Sequence, residues 1–239
     1  WEPNANSLRP MICLREKGLA FTSRYVDVLR FEQHQPEFLA LNARGEVPVL
    51  VHDDAAFYEV SFIEAYLDEV FPEIALMPRD ALGRWRVRVW QKRVDEDLAP
   101  AVSLLGCQRD REVLIAGRRQ HELQQAIANI PAKERRDVWQ AALCDGYSAA
   151  QLQEARRKIS EVITDAEAQL TQHAWLAGAT YSLADGAAFA FIMLLPQLTP
   201  ELVNVRTTPQ VMRWLAAMQA RPAVAAALQP QRLTDPCAL

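Results

Sequence analysis

The chain has 239 residues, half of them hydrophobic, only 8 of them glycine, and a formal net charge of −4. That balance favours a helix-rich body over a β-sandwich and offers no basic stripe for nucleic acid, while the longest apolar run, "AAFAFIMLL", is about half of the ~20 residues that span a bilayer. Cys13, Cys107, Cys144 and Cys237 are too scattered for a zinc site or a disulfide framework, so reduced thiols in a cytoplasm are expected, with no metal, nucleic-acid or membrane partner.

No signal-peptide pattern opens the chain. "WEPNANSLRP" lacks an initiator Met and reads as the end of a strand-to-helix loop, which predicts residues before Trp1. Leu8, Met11, Ile12 and Leu14 share a helical face, predicting a first helix over 7–17 that stops at Gly18. "FTSRYVDV" alternates and is rich in β-formers, predicting a strand over 21–28. Pro36 suits the first turn of a brief helix, "PEFLALN", and "ARGE" turns into a hairpin, 49–52 with 56–58, reversed at Asp53-Asp54. Phe62, Ile63, Tyr66, Leu67 and Val70 predict a third helix over 61–70.

Two prolines in "FPEIALMPRD" mark a linker. The expected organisation is a domain over 1–72, a linker over 73–80 and an all-helical domain over 81–239, with an extra helical block near 117–150. A long helix over 82–106 carries Trp85, Val89, Trp90, Val94, Leu98 and Val102, and Pro100 predicts a kink in it. Trp85 and Trp90 read as core packing. Ser148 with Gln151, and Ser182 with Asp185, have the spacing of capping boxes. The helix after Ser182 has little polar surface and belongs at the centre of its domain. A last helix starts near Pro209 and ends at Arg221-Pro222. "KERRD" and "EARRKISE" read as solvated helix faces.

"NARGEVPVL", "EVSFIEAYLDEVFP", "SLADGAAFAFI" and "MQARPAV", in this order and spacing, resemble the glutathione transferase family: a thioredoxin-like α/β domain followed by an all-helical one. "WEPNANSLRPMICLREKGL", "FEQHQPEFLALN" and the block around "IPAKERRDVWQAALCDGYSAAQLQEARRKI" are similar to the bacterial glutathione-dependent enzymes that cleave β-aryl ethers in lignin-derived aromatics. The family's sheet has an interior strand before the Trp-Glu-Pro loop that this sequence does not supply. Losing it would orphan two rows of backbone groups, so a trimmed sequence is expected.

The resemblance implies glutathione as cosubstrate. Pro48 would be cis, exposing the Val47 N–H and C=O to pair with the tripeptide, and Glu59 would receive the γ-glutamyl ammonium. The N–H groups at the start of the third helix would take the glutamyl carboxylate. Taken alone, without the resemblance, Pro48 reads as a turn former and Glu59 as a favourable N-terminal charge. Val60 stands where the family places Ser or Thr, and Ser61 substitutes only if the helix starts one residue later. Glu46 replaces a Gln or Lys at the tripeptide's far end, with His34 or Gln33 as neutralising candidates.

Ser7, at the entrance of the first helix, is the candidate stabiliser of the glutathione thiolate, with Asn6 and Asn4 orienting the thiol or leaving oxygen. It reads also as an ordinary cap. The acceptor site is expected between domains, walled by Trp1, Val102, Ser103, Leu105 and part of the extra block. Cys13 reads as buried filler. The family implies a homodimer, or a heterodimer with a paralogue. Val60 and Glu46 motivate an alternative, a scaffold subunit with a decayed glutathione site; broad detoxification of electrophiles is a third reading.

Overall fold

The computed structural model describes residues 5–229, so Trp1, Asn4 and Cys237 lie outside the described residues. The first helix, α1 (Ala5–Glu16), starts two residues earlier than expected. It ends as its sequence requires: Gly18 takes φ 66°, and Leu19 N–H reaches back to Leu14 O at 3.0 Å, closing the last turn on itself.

The strand expected over 21–28 is not formed. Sheet structure needs a partner, and the only sheet among the described residues is a two-stranded hairpin, β1 (Leu50–His52) with β2 (Ala55–Phe57). Residues 19–27 therefore carry no regular structure, and Val28–Arg30 and Glu32–His34 form single 3₁₀ turns. The hairpin is as read, with Leu50 opposite Phe57 and His52 opposite Ala55. Asp53 and Asp54 both take positive φ (49° and 63°), the conformation a two-residue reversal demands. A short helix α2 (Pro36–Leu39) precedes it and α3 (Val60–Val70) follows.

The connection after α3 is fastened rather than loose. Asp68 accepts hydrogen bonds from Leu76 N–H (2.7 Å) and Met77 N–H (3.1 Å), while Lys17 bridges Asp68 at 2.9 Å and Ile74 O at 2.7 Å. Beyond it the predicted long helix is two helices, α4 (Ala81–Arg93) and α5 (Ala99–Ile115), joined by a π-helical turn over Val94–Leu98. Pro100 sits at the second position of α5, where a missing N–H is tolerated, and the wide turn before it absorbs the misfit. Trp90 is buried as expected, but Trp85 is 59 % exposed and not core.

The extra block consists of α6 (Gln120–Ala128) and α7 (Lys133–Gln140). Leu123, Ile127, Ile130, Ala142 and Leu143 form a small core of their own around Phe31, a residue of the first domain. Arg118 also donates to Leu29 O. The block thus docks onto the loop that leads to the hairpin.

Helix α8 (Ala149–Gln172) starts at the Ser148–Gln151 capping box. Every residue of α9 (Leu183–Ile192) is buried, so it is the centre of the helical body. It is followed by α10 (Leu195–Leu198), α11 (Pro209–Gln219) and α12 (Pro222–Ala227). Helix α1 packs against α3, α9 and α12. Arg221, at the head of α12, forms a two-pronged pair with Glu16 (2.6 and 2.8 Å) and lies 3.8 Å over the Tyr181 ring, which gives "MQARPAV" its physical role.

Candidate functional site

The Val47–Pro48 peptide is cis. The loop before it is built tightly. Asn42 donates to Glu46 O at 2.9 Å and accepts from Arg44 N–H at 3.1 Å. Gly45 takes φ 63°, and the His34 ring lies where a side chain would go, 2.2 Å from an ideal Cβ. Only glycine fits there. Among the described residues nothing pairs with the N–H or C=O of Val47, so both are available to an extended peptide.

At the other edge, Glu59 holds φ 65°, ψ 105° immediately before α3. Left-handed backbone at a non-glycine residue marks a position fixed by its surroundings. Its carboxylate does not cap the helix. It pairs instead with Arg44 at 2.7 Å, while the first N–H groups of α3, at Val60 and Ser61, are offered outward by helix geometry.

Ser61 does not substitute for the missing donor at Val60. The helix starts at Val60, not one residue later, and the Ser61 hydroxyl donates to Asp95 while accepting from Arg9 at 3.0 Å. Arg9 is only 1 % exposed. It bridges Glu64 (3.1 Å, also 1 % exposed) and Asp95, and Gln91 adds a hydrogen bond to Glu64 at 2.9 Å. This buried network ties α1, α3 and α4 together beneath the site.

Neither candidate neutraliser serves as expected. Gln33 is 2 % exposed, and its amide nitrogen reaches Val28 O at 3.4 Å, with its oxygen unpartnered among the described residues. Burial, with Arg135 nearby, pushes His34 down to about 4, so the ring is neutral at pH 7. The cations that meet Glu46 are Arg135 of α7, at 3.1 Å, and Arg44, at 3.9 Å. Sequence reading missed both. Arg135 lay in a stretch that looked like a solvated helix face; Arg44 was signalled only by the two carboxylates within reach of its turn.

The His34 shift has a measurable consequence. Its folded pKa of about 4 lies below the unfolded value of about 6.5. Between these values the unfolded chain takes up a proton that the folded chain refuses, so this contribution is complete above pH 6.5 and lost as pH falls toward 4. Denaturant titrations at pH 7 and pH 5 should show His34→Asn losing less stability on acidification than the unaltered chain.

Ser7 is the third residue of α1 rather than its cap, partly buried, with Asn6 beside it. It remains within the first turn, where the helix dipole favours an anion. Cys13 is 2 % exposed and burial pushes its thiol up, as befits filler. The acceptor walls are corrected: Val102 and Leu105, 3 % and 4 % exposed, belong to the main core, and Ser103 faces solvent. Helix periodicity puts 102 and 105 on one face, and that face is filled by the bundle.

Residues 5–70 match the family model for the glutathione S-transferase N-terminal domain, and residues 124–222 that for the C-terminal domain. The chain is 35 % identical to Protein LigF of Sphingobium sp. (strain NBRC 103272 / SYK-6), over 98 % of this chain and 93 % of that one. The chain belongs to the glutathione S-transferase family. Glutathione is its cosubstrate, and the fold is the family's thioredoxin-like domain joined to a helical one. The crystal structure of beta-etherase LigF from the same strain superposes on this transferase with a TM-score of 0.89, covering 94 % of this chain and 95 % of that one. Glutathione S-transferase F14 of Arabidopsis thaliana is 31 % identical over 89 % of this transferase and 75 % of its own length. Among the described residues no helix is long and apolar enough to cross a membrane.

Proposed function

We propose that this transferase cleaves β-aryl ether bonds in lignin-derived aromatics. The observation that carries the reading is the match to beta-etherase LigF along nearly the whole of both chains, at 35 % identity and a TM-score of 0.89. Glutathione lies extended along Val47, its γ-glutamyl ammonium on Glu59, its glutamyl carboxylate at the Val60 and Ser61 N–H groups. The thiol loses its proton to solvent. Ser7, in the first turn of α1, stabilises the thiolate, which attacks the carbon bearing the aryloxy group; a C–S bond forms, the C–O bond breaks, and the phenolate leaves with the electron pair. Asn6, beside Ser7, orients the sulfur or the leaving oxygen.

The test is release of phenol from a β-aryl ether in the presence of glutathione. Ser7→Ala should lower kcat about a hundredfold, the scale of one lost donor to a developing anion, and move the pH–rate profile to higher pH with little change in KM. No phenol release, together with no calorimetric glutathione binding, would overturn the reading.

Of the two features that motivate a decayed scaffold subunit, Glu46 drops out, because its charge is met by Arg135 and Arg44. Val60 remains. A dimer is proposed on the exposed apolar residues of both domains: Phe62 (74 %) and Val51 (52 %) on the first, Trp85 (59 %) and Leu82 (55 %) on the second. The dimer is of identical chains or of this chain with a paralogue. A cytoplasmic setting is proposed from the free thiols of Cys13, Cys107 and Cys144.

A further inference from the structure

Four charged side chains form a row of ion pairs beside the cis peptide. Arg135 lies 3.1 Å from Glu46, Glu46 lies 3.9 Å from Arg44, and Arg44 donates to Glu59 at 2.7 Å. They come from three pieces of structure: α7, the loop before the cis peptide, and the entrance of α3. Two cations meet two anions, so the row is neutral. Its last link is open to water, with the Arg44 side chain 63 % exposed and Glu59 42 % exposed. An ion pair in that setting is weak and exchanges readily. The carboxylate that would receive a ligand's ammonium is therefore covered by a cation able to leave.

We propose that Arg44 is the exchange residue of this site: the γ-glutamyl ammonium displaces it from Glu59, and the freed guanidinium, together with Arg135, receives the glycyl carboxylate beside Glu46. The inference rests on the glutathione-binding geometry proposed above. Charges stay matched at every stage, since the ligand adds one cation at Glu59 and one anion at the arginines. A planar guanidinium with five N–H groups can bridge two carboxylates, as this arrangement requires of Arg44 and Arg135. The exchange resolves the conflict of placing Glu46 next to an incoming carboxylate. It also gives α7 a part in ligand selection, through an element outside the first domain.

The experiment is calorimetric titration of the full chain and of Arg44→Gln and Arg44→Lys with two probes, glutathione and its glycyl ethyl ester. The unaltered chain should bind glutathione about tenfold or more tightly than the ester, the scale of a charge-assisted hydrogen bond. Arg44→Gln should bring the two affinities to within about threefold by weakening glutathione alone, with ester binding unchanged or tighter because Glu59 is uncovered. Arg44→Lys should restore part of the preference. Equal weakening of both probes by Arg44→Gln, or an unchanged ratio, would show that Arg44 only supports the loop and would overturn the inference. An unaltered chain that binds both probes equally sinks this inference alone; one that binds neither sinks the functional reading with it. Thermal unfolding followed by circular dichroism should show the two variants folded like the parent.

Discussion

Arg9→Met should lower the stability of the folded chain by about 3–5 kcal/mol, the cost of stranding a buried charge. Arg9 and Glu64 are each 1 % exposed and 3.1 Å apart, and without the guanidinium Glu64 keeps only the Gln91 amide at 2.9 Å. Asp95 and Ser61 lose their common partner in the same step. For a chain of this size the loss corresponds to a fall in Tm of roughly 10 °C. The pair is not a large source of stability in itself, because taking two charges out of water costs nearly what their attraction returns. The double variant Arg9→Met with Glu64→Gln should therefore recover much of the deficit, and a double-variant cycle in denaturant would measure it. A single substitution costing under about 1 kcal/mol would mean that water reaches the pair in solution. Because the network joins α1 to α3 and α4, partial unfolding of Arg9→Met should loosen the Ser7 and Glu59 ends of the site together.

Asp185→Ala should be comparably severe. The carboxylate, wholly buried, accepts from Leu176 N–H (3.0 Å), Ser182 N–H (3.0 Å), Ser182 Oγ (3.3 Å) and Trp214 Nε1 (3.0 Å). Burial lifts its pKa to about 6 even though these four hydrogen bonds pull it down, so it is charged at neutral pH. Alanine leaves two backbone N–H groups and an indole N–H buried without acceptors, at about 1–3 kcal/mol each, together about 4 kcal/mol or more. Helix α9, which has no exposed residue, would lose its start signal at the same time. Asp185→Asn retains one acceptor oxygen and should cost less. Denaturant midpoints of the three proteins check the order, and an Ala variant as stable as the parent would contradict it.

Local chemistry announced the elements that a few neighbouring residues can specify alone. The Asp53-Asp54 reversal, the Gly18 stop, both capping boxes and the burial of α9 all depend on spacings of two to four residues, which the chain displays directly. The resemblance carried by "NARGEVPVL" and "EVSFIEAYLDEVFP" identified the family, and with it the cis peptide at Val47–Pro48. Properties that need a second segment were not legible. "FTSRYVDV" has strand composition, but a strand exists only where another offers its edge. Ser61 has the right chemistry for a ligand, yet Arg9 and Asp95, 52 and 34 residues away, claim its hydroxyl.

The site's electrostatics belong to the same class. Glu46 looked repulsive because its compensating cation, Arg135, comes from a helix nearly ninety positions later, and His34 looked like that cation until burial made it neutral. Sequence by itself determined turns, caps, helical faces and family, because each is encoded in short-range periodicity and backbone preference. Tertiary structure alone decided which charges meet and which are hidden, because Coulomb attraction and desolvation depend on distance and exposure in space, and neither quantity exists until the chain has packed.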